Sequence, residues 1–201
     1  MNLNKVRSYI KQDALWKIIL TSIPKDTILF FDVEVYPPVD ENTKLDKVSI
    51  NAIGVKYGND TRVFIGEEDK VIEMFNIYLS PDKEIYLTVG YGTYYLDIPL
   101  LLLKIRQYPK KYINNIRRVL NKVPHLDLVY PTSTYLYAIN KIDKLTLVSL
   151  KEASDILGLG KEEFTEYIYY DINKLEEYLK KDIIAINKLF DLLYDEYFMK
   201  L

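Results

Sequence analysis

Two carboxylates one residue apart, Asp32 and Glu34, interrupt an apolar run from Leu29 to Val35. Side chains alternate across an extended chain, so both acids project to the same side. Held together in an apolar strand they repel each other and lose hydration. A divalent cation with a preference for hard oxygen ligands, Mg²⁺ or Mn²⁺, would relieve both costs. The alternative is an edge strand with both acids in water, although Leu29, Phe30, Phe31, Val33 and Val35 favour burial. A third acid, Asp97, follows a strand-like segment and precedes Pro99 in what reads as a first helical turn. Capping the helix would by itself explain an acid there. A fourth, Asp182, lies on the last amphipathic stretch with Tyr178 four residues before it, so phenol and carboxylate share one helix face. A solvated acid beside Lys180 and Lys181 is the alternative for that position.

The elements that must position these residues follow from periodicity. Residues 3–22 read as an amphipathic helix stopped by Pro24. Residues 27–36 read as a strand rich in β-branched and aromatic side chains, closed by Pro37 and Pro38. Residues 47–56, then Gly58-Asn59-Asp60, then 61–66 have the pattern of a β-hairpin. A helix over 68–79 and a strand over 84–89 follow, then a helical stretch from Asp97 to about Asn121, broken near Pro109. Residues 125–130 fit a short strand or an extended loop. Ser149 and Glu152 have capping-box spacing for a helix ending at Gly158 or Gly160. The last helix runs from near Asp171 to about Tyr197, with Leu175, Leu179, Ile183, Ile186, Leu189, Phe190 and Leu193 on one stripe. Strands first, interleaved helices and a closing helix predict a single α/β domain with a mixed sheet.

Taken in order, three segments resemble the exonuclease motifs of the DEDD superfamily, most nearly those of the proofreading domains of family B DNA polymerases and their stand-alone relatives. Phe31-Asp32-Val33-Glu34 is similar to the D-x-E strand. Gly90-Tyr91-Gly92-Thr93-Tyr94-Tyr95-Leu96-Asp97-Ile98-Pro99-Leu100 resembles G-Y-N-x-x-x-F-D-x-P-x-L, and Tyr178 to Asp182 resembles Y-x-x-x-D. Residues 145–161 look like the stretch before that third motif, and the likeness spans roughly 27–195. One position departs: Gly92 stands where the family commonly has an Asn that places the substrate strand.

The resemblance implies an RNase H-like mixed sheet flanked by helices over residues 27–201, with the helix of residues 1–26 packed against it. It implies a DEDDy-type 3′–5′ exonuclease that releases nucleoside 5′-monophosphates from single-stranded nucleic acid, DNA favoured over RNA. Two divalent ions, Mg²⁺ or Mn²⁺, would flank the scissile phosphate about 3.5–4 Å apart. Asp32 would contact both, Glu34 and Asp182 would complete one site, and Asp97 would hold the other. Tyr178 would orient the attacking water, since a phenol with an ordinary pKa near 10 is a poor base at neutral pH. The variant of the superfamily that uses a histidine near the fourth acid is set aside, because the only histidine, His125, is remote from Asp182 in sequence. His125 is expected to be structural, and Asp127 has no evident role. A catalytically silent nucleic-acid or protein binding module and a structure-selective endonuclease of the same fold are the competing readings.

Substrate contacts are expected from Tyr36, Tyr91, Gly92 and Tyr94 near the motifs, by stacking or positioning, and from Lys104 and Arg106. The last two open the stretch from Leu101 to Pro124, which carries seven Lys and Arg and no acid. A solvated helical face would produce the same stretch. The formal net charge of −2 provides no global field for a nucleic acid, so binding would depend on such a local patch. The absence of Cys excludes thiolate metal sites, thiol nucleophiles and disulfides. Charges interrupt the apolar residues of the N-terminal segment, so neither a signal peptide nor a membrane span is expected, and the protein is expected to be intracellular and cytoplasmic. A polymerase or another replication or repair protein is a possible partner.

Overall fold

The computed structural model describes residues 3–39, 42–160 and 171–201, with side chains from residue 12 onward. Lys161, the last residue of the stretch preceding the third motif, lies outside them. The elements are α1 (Leu3–Ser22), β1 (Ile28–Tyr36), β2 (Ser49–Tyr57), β3 (Asp60–Ile65), α2 (Glu68–Tyr78), β4 (Leu87–Gly90), α3 (Asp97–Lys104), α4 (Asn114–Lys122), β5 (His125–Asp127), α5 (Val129–Ala138), α6 (Leu150–Leu157) and α7 (Ile172–Glu196). The five strands form one mixed sheet in the order β3-β2-β1-β4-β5. The hairpin pairs β1 with β2 and β2 with β3 antiparallel, while β1 with β4 and β4 with β5 are parallel. β1 is therefore central, as its apolar composition demands, and not the edge strand of the alternative reading.

Alternation along β1 divides the core. Leu29, Phe31, Val33 and Val35 face a cluster shared with Val71, Ile72 and Phe75 of α2, Leu100 and Leu101 of α3, and Ile116 and Val119 of α4. Ile28 and Phe30 face the opposite layer, where Ile183, Ile186, Leu189 and Phe190 of α7 pack. Phe30 meets Phe190 edge to face, with ring centroids 5.4 Å apart. Asp32 and Glu34 are in phase with Ile28 and Phe30, so the strand's pleat turns both acids toward α7.

Several boundaries follow local chemistry. Ser149 and Glu152 close the predicted capping box, Ser149 N–H donating to Glu152 Oε2 at 2.8 Å and Glu152 N–H to Ser149 Oγ at 3.1 Å. Gly158, in a left-handed conformation with φ 69°, ends that helix. Asp171 caps α7 by accepting from the N–H groups of Asn173 and Lys174 at 3.0 and 3.3 Å. The Tyr197 hydroxyl donates to buried Asp13 at 2.6 Å and ties α1 to the chain's last turn. Among the described residues, no helix is long and apolar enough to cross a membrane.

Two elements differ from expectation. β4 begins at Leu87, because Tyr86 N–H bonds Thr27 O ahead of the parallel ladder. Residues 129–138 form α5, a helix that the sequence pattern conceals behind Val, Thr and Tyr, which favour strands. Pro131 is tolerated in the first turn, where no intrahelical N–H bond is required. Ser133 and Thr134 turn their hydroxyls back onto the carbonyls four residues earlier, at 2.8 and 2.9 Å.

Candidate metal centre

Asp32, Glu34 and Asp182 come together: each offers a carboxylate oxygen, and these oxygens lie within 4.8 Å of one another. Two small residues allow the approach. The cross-strand partners of the two β1 acids are Gly54 opposite Asp32 and Ala52 opposite Glu34. With so little side chain on β2, α7 settles directly onto the sheet there. A Cβ built on Gly54 would lie 2.7 Å from Leu179 Cγ and 2.9 Å from Ile183 Cγ1, the residues that bracket Asp182 on α7. The missing methyl of Gly54 thus sets how near Asp182 can come to β1. Nothing in the alternating pattern of residues 47–56 singles this glycine out.

Asp97 occupies the first turn of α3 but does not cap it: the preceding Leu96 is the capping residue, and no side chain bonds the helix end. Asp97 is buried, and its Oδ2 has no hydrogen bond among the described residues. Its other contact follows from the sheet. The parallel pairing of β1 with β4 ends at Phe30 and Val89, so the side of β1 beyond that point is open. There the Val33 N–H lies near the Asp97 carboxyl and favours its charged form. Burial, above all, pushes that carboxyl well above its usual range, and the charges of Asp32, Glu34 and Asp127 add to the effect. Asp97 stands beside the cluster of three and senses its charge without being one of its members.

Tyr178, one helical turn before Asp182, is buried with it on α7. Burial drives the phenol pKa far up, and the carboxylates of Asp182, Glu34 and Asp32 reinforce the shift. A hydrogen bond from this hydroxyl to Asp182 acts in the same direction. Tyr178 is therefore a fixed proton donor facing the acids.

Asp127, unplaced by the sequence, organises the loop that carries Asp97. Its Oδ1 accepts from Gly92 N–H at 2.7 Å and Val129 N–H at 3.1 Å; its Oδ2 accepts from Tyr94 N–H at 3.0 Å and the Thr93 hydroxyl at 3.3 Å. His125 lies beneath the same loop, with Nδ1 2.9 Å from Thr88 Oγ1 and Nε2 2.6 Å from Thr93 Oγ1. Burial lowers its pKa to about 4, so it is a neutral structural residue, as expected. Gly90 makes room for Thr93, whose Cγ2 would be 2.2 Å from a Cβ at that position. Gly92 has φ +69°, a left-handed conformation that Gly adopts freely and Asn tolerates better than most residues. A Cβ there would meet nothing within 4 Å. The loop therefore has a backbone and a space that would accept an Asn side chain at this position.

The expected substrate contacts separate. Tyr36 and Tyr94 are about half exposed, and Tyr94 is anchored through its hydroxyl to His125 O at 2.9 Å. Tyr91 instead packs inward and donates to Val148 O at 2.6 Å, so it cannot stack on a base. Arg106 is exposed. Lys104 corrects the expectation: it is 5% exposed, and its Nζ lies 3.0 Å from Glu68 Oε2. Buried and paired, it cannot reach a phosphate in solvent. Glu68 also accepts the Ile50 N–H at 2.9 Å, so this pair fastens α2 and α3 to β2.

The donor set suits hard divalent cations: three carboxylates converge, and a buried oxygen of Asp97 lies at their margin. No protein-family model matches the chain, and neither does any curated protein. Among solved structures, the fold is similar to the family B DNA polymerase of the hyperthermophilic archaeon Pyrobaculum calidifontis, with a TM-score of 0.62 at 15% identity. The match covers 83% of this chain and 24% of the polymerase, so the chain corresponds to about a quarter of that enzyme's length. The five-stranded mixed sheet flanked by helices is an RNase H-like α/β fold, shared with a portion of a family B polymerase.

Proposed function

We propose that the protein is a metal-dependent 3′–5′ exonuclease that hydrolyses single-stranded nucleic acid, with DNA as the favoured substrate. The convergence of Asp32, Glu34 and Asp182 within 4.8 Å carries this reading. So many carboxylates in so little space have no stabilising role of their own, since clustered buried charge costs free energy unless it is compensated. Asp32, Glu34 and Asp182 would hold one divalent cation, and Asp97 with Asp32 a second. Such ions, when bound, lower the pKa of the attacking water and stabilise charge on the leaving 3′ oxygen.

The chain's own groups supply the geometry. β1 and α7 present the acids from rigid elements, and α3 brings Asp97 in along the open side of β1. Tyr178 stays protonated across the physiological range, so its role is to orient water by donation, not to abstract a proton. The reaction joins the water oxygen to phosphorus, breaks the bond to the 3′ oxygen, and releases a nucleoside 5′-monophosphate. The polymerase neighbour favours DNA and a setting in replication or repair.

The test is digestion of 5′-labelled single-stranded DNA and RNA with Mn²⁺, Mg²⁺ or EDTA, beside Asp32→Ala. A metal-dependent ladder shortening from the 3′ end, at least a thousandfold slower in the variant, is expected. Cleavage of circular single-stranded DNA would reassign the site to an endonuclease. Normal activity in Asp32→Ala would refute the site assignment.

A further inference from the structure

The stretch from Leu101 to Pro124 has seven cations, and the fold sorts six of them into distinct settings. Lys104 is taken by Glu68, and Arg118 donates to the carbonyls of Leu79 and Ser80 at the end of α2. Lys111 sits over the Tyr112 ring, 4.6 Å from its centroid. Arg106, Lys110 and Arg117 instead line one cleft of about 530 Å³ between the end of α3 and α4, against Leu102, Ile105 and Ile113. All three are exposed, no acid lines the cleft, and none of the three forms an ion pair among the described residues. The nearby acids Asp69 and Glu73 line a separate hollow beyond Tyr108 and Pro109. The Tyr108 hydroxyl donates to Asp69 Oδ1 at 2.7 Å, which fixes that dividing wall. In a chain with 29 acids against 27 cations, such segregation makes a local anion trap.

Its place relative to the metal centre identifies the anion. Asp97 opens α3 and the cleft begins on the same helix: Leu102 lies about 7.5 Å further along the axis, and Arg106 follows in the short 3-10 turn after it. A carboxylate cluster repels every phosphate except one bridged by metal, so a strand entering by its 3′ end needs its grip elsewhere. We propose that Arg106, Lys110 and Arg117 hold the phosphodiester backbone of the single strand a few nucleotides 5′ of the scissile bond. This assignment rests on the exonuclease reading. Two guanidinium groups and an ammonium suit successive phosphates, and the apolar wall accepts sugar and base faces without selecting sequence.

The experiment compares wild type with Arg106→Gln/Lys110→Gln/Arg117→Gln, and with Arg117→Gln alone as a milder variant. Binding of oligothymidylates of three, six and twelve nucleotides is followed by fluorescence anisotropy in EDTA. Hydrolysis of the p-nitrophenyl ester of thymidine 5′-monophosphate with Mn²⁺ reports on the metal centre alone. Expected are a rise in wild-type affinity with length, a loss of at least tenfold for the twelve-mer in the triple variant, and a log–log salt slope reduced by about 2. Ester hydrolysis, whose single nucleotide is too short to span both the metal centre and the cleft, should change far less in the triple variant than twelve-mer binding does. A twelve-mer affinity and salt slope unchanged in the triple variant overturn the assignment, as does capture of poly-glutamate with strand binding unaffected. If wild type hydrolyses nothing yet the triple variant still loses the twelve-mer, the exonuclease reading fails while the cleft stands as a strand-binding surface.

Discussion

Two groups of polar side chains lie on either side of the Asp97 loop, and their surroundings differ in kind. Asp127 accepts from three backbone N–H groups and a hydroxyl, and its neighbour His125 is bound at both ring nitrogens. Asp32, Glu34 and Asp182 instead converge on one another, and burial together with the charges of Asp32 and Glu34 raises the neighbouring Asp97 carboxyl well above its ordinary range. A carboxylate saturated by donors is part of the scaffold. Carboxylates crowded together are costly to bury, and a divalent cation is a partner that would relieve that cost.

The largest effect is expected from Asp127→Ala, which strips three backbone N–H groups of their acceptor. Each buried, unsatisfied donor costs about 1–3 kcal/mol, so a loss of about 4 kcal/mol should appear as a fall in the denaturation midpoint, with or without metal. Gly54→Ala should come next, at about 1–3 kcal/mol from overpacking against Leu179 and Ile183. It should also abolish any Mn²⁺-induced rise in Tm although no ligand has changed. A retained rise would show that α7 does not set the site's spacing.

Asp182→Asn should reverse the sign, raising stability by about 1 kcal/mol in EDTA while removing the stabilisation by Mn²⁺ seen in wild type by calorimetry. Destabilisation in EDTA would mean that the four acids are structural after all.

A pH-dependent effect concerns His125, whose pKa is lowered from 6.5 to about 4 by burial. The unfolded chain takes up a proton that the folded one refuses, so this contribution is complete above pH 6.5 and lost as pH falls toward 4. Asp13, pushed up to about 6 by burial, acts oppositely, its cost appearing as pH rises from 3.8 to 6. The measurement is therefore the difference between wild type and His125→Gln across pH 4–7, which should shrink on acidification. A difference independent of pH would place a charged imidazole in the fold.

The convergence of Asp32, Glu34 and Asp182 was largely legible because its parts are local patterns. Two acids at strand spacing in an apolar run, and a phenol and an acid at helical spacing, declare their faces without tertiary information. What escaped depends on contacts between distant segments. Gly54 matters only because Leu179 and Ile183 lie over it. Lys104 looked like a surface cation because its partner, Glu68, precedes it by a strand and a helix. Asp127 was unreadable since its partners are main-chain groups, which carry no residue signature. α5 was missed because packing and hydroxyl back-bonds overrode weak helix formers.

The parting of β1 and β4 beyond Phe30 and Val89 leaves a slot whose acids stand on a strand, a first helical turn and mid-helix. None of the four sits on a segment that must order when a substrate arrives. The entropy of arranging them is spent when the protein folds, so little reorganisation remains for the chemical step. For the hydrolysis proposed above, the barrier should then be dominated by enthalpy, and turnover by how fast a strand can be fed and its product released.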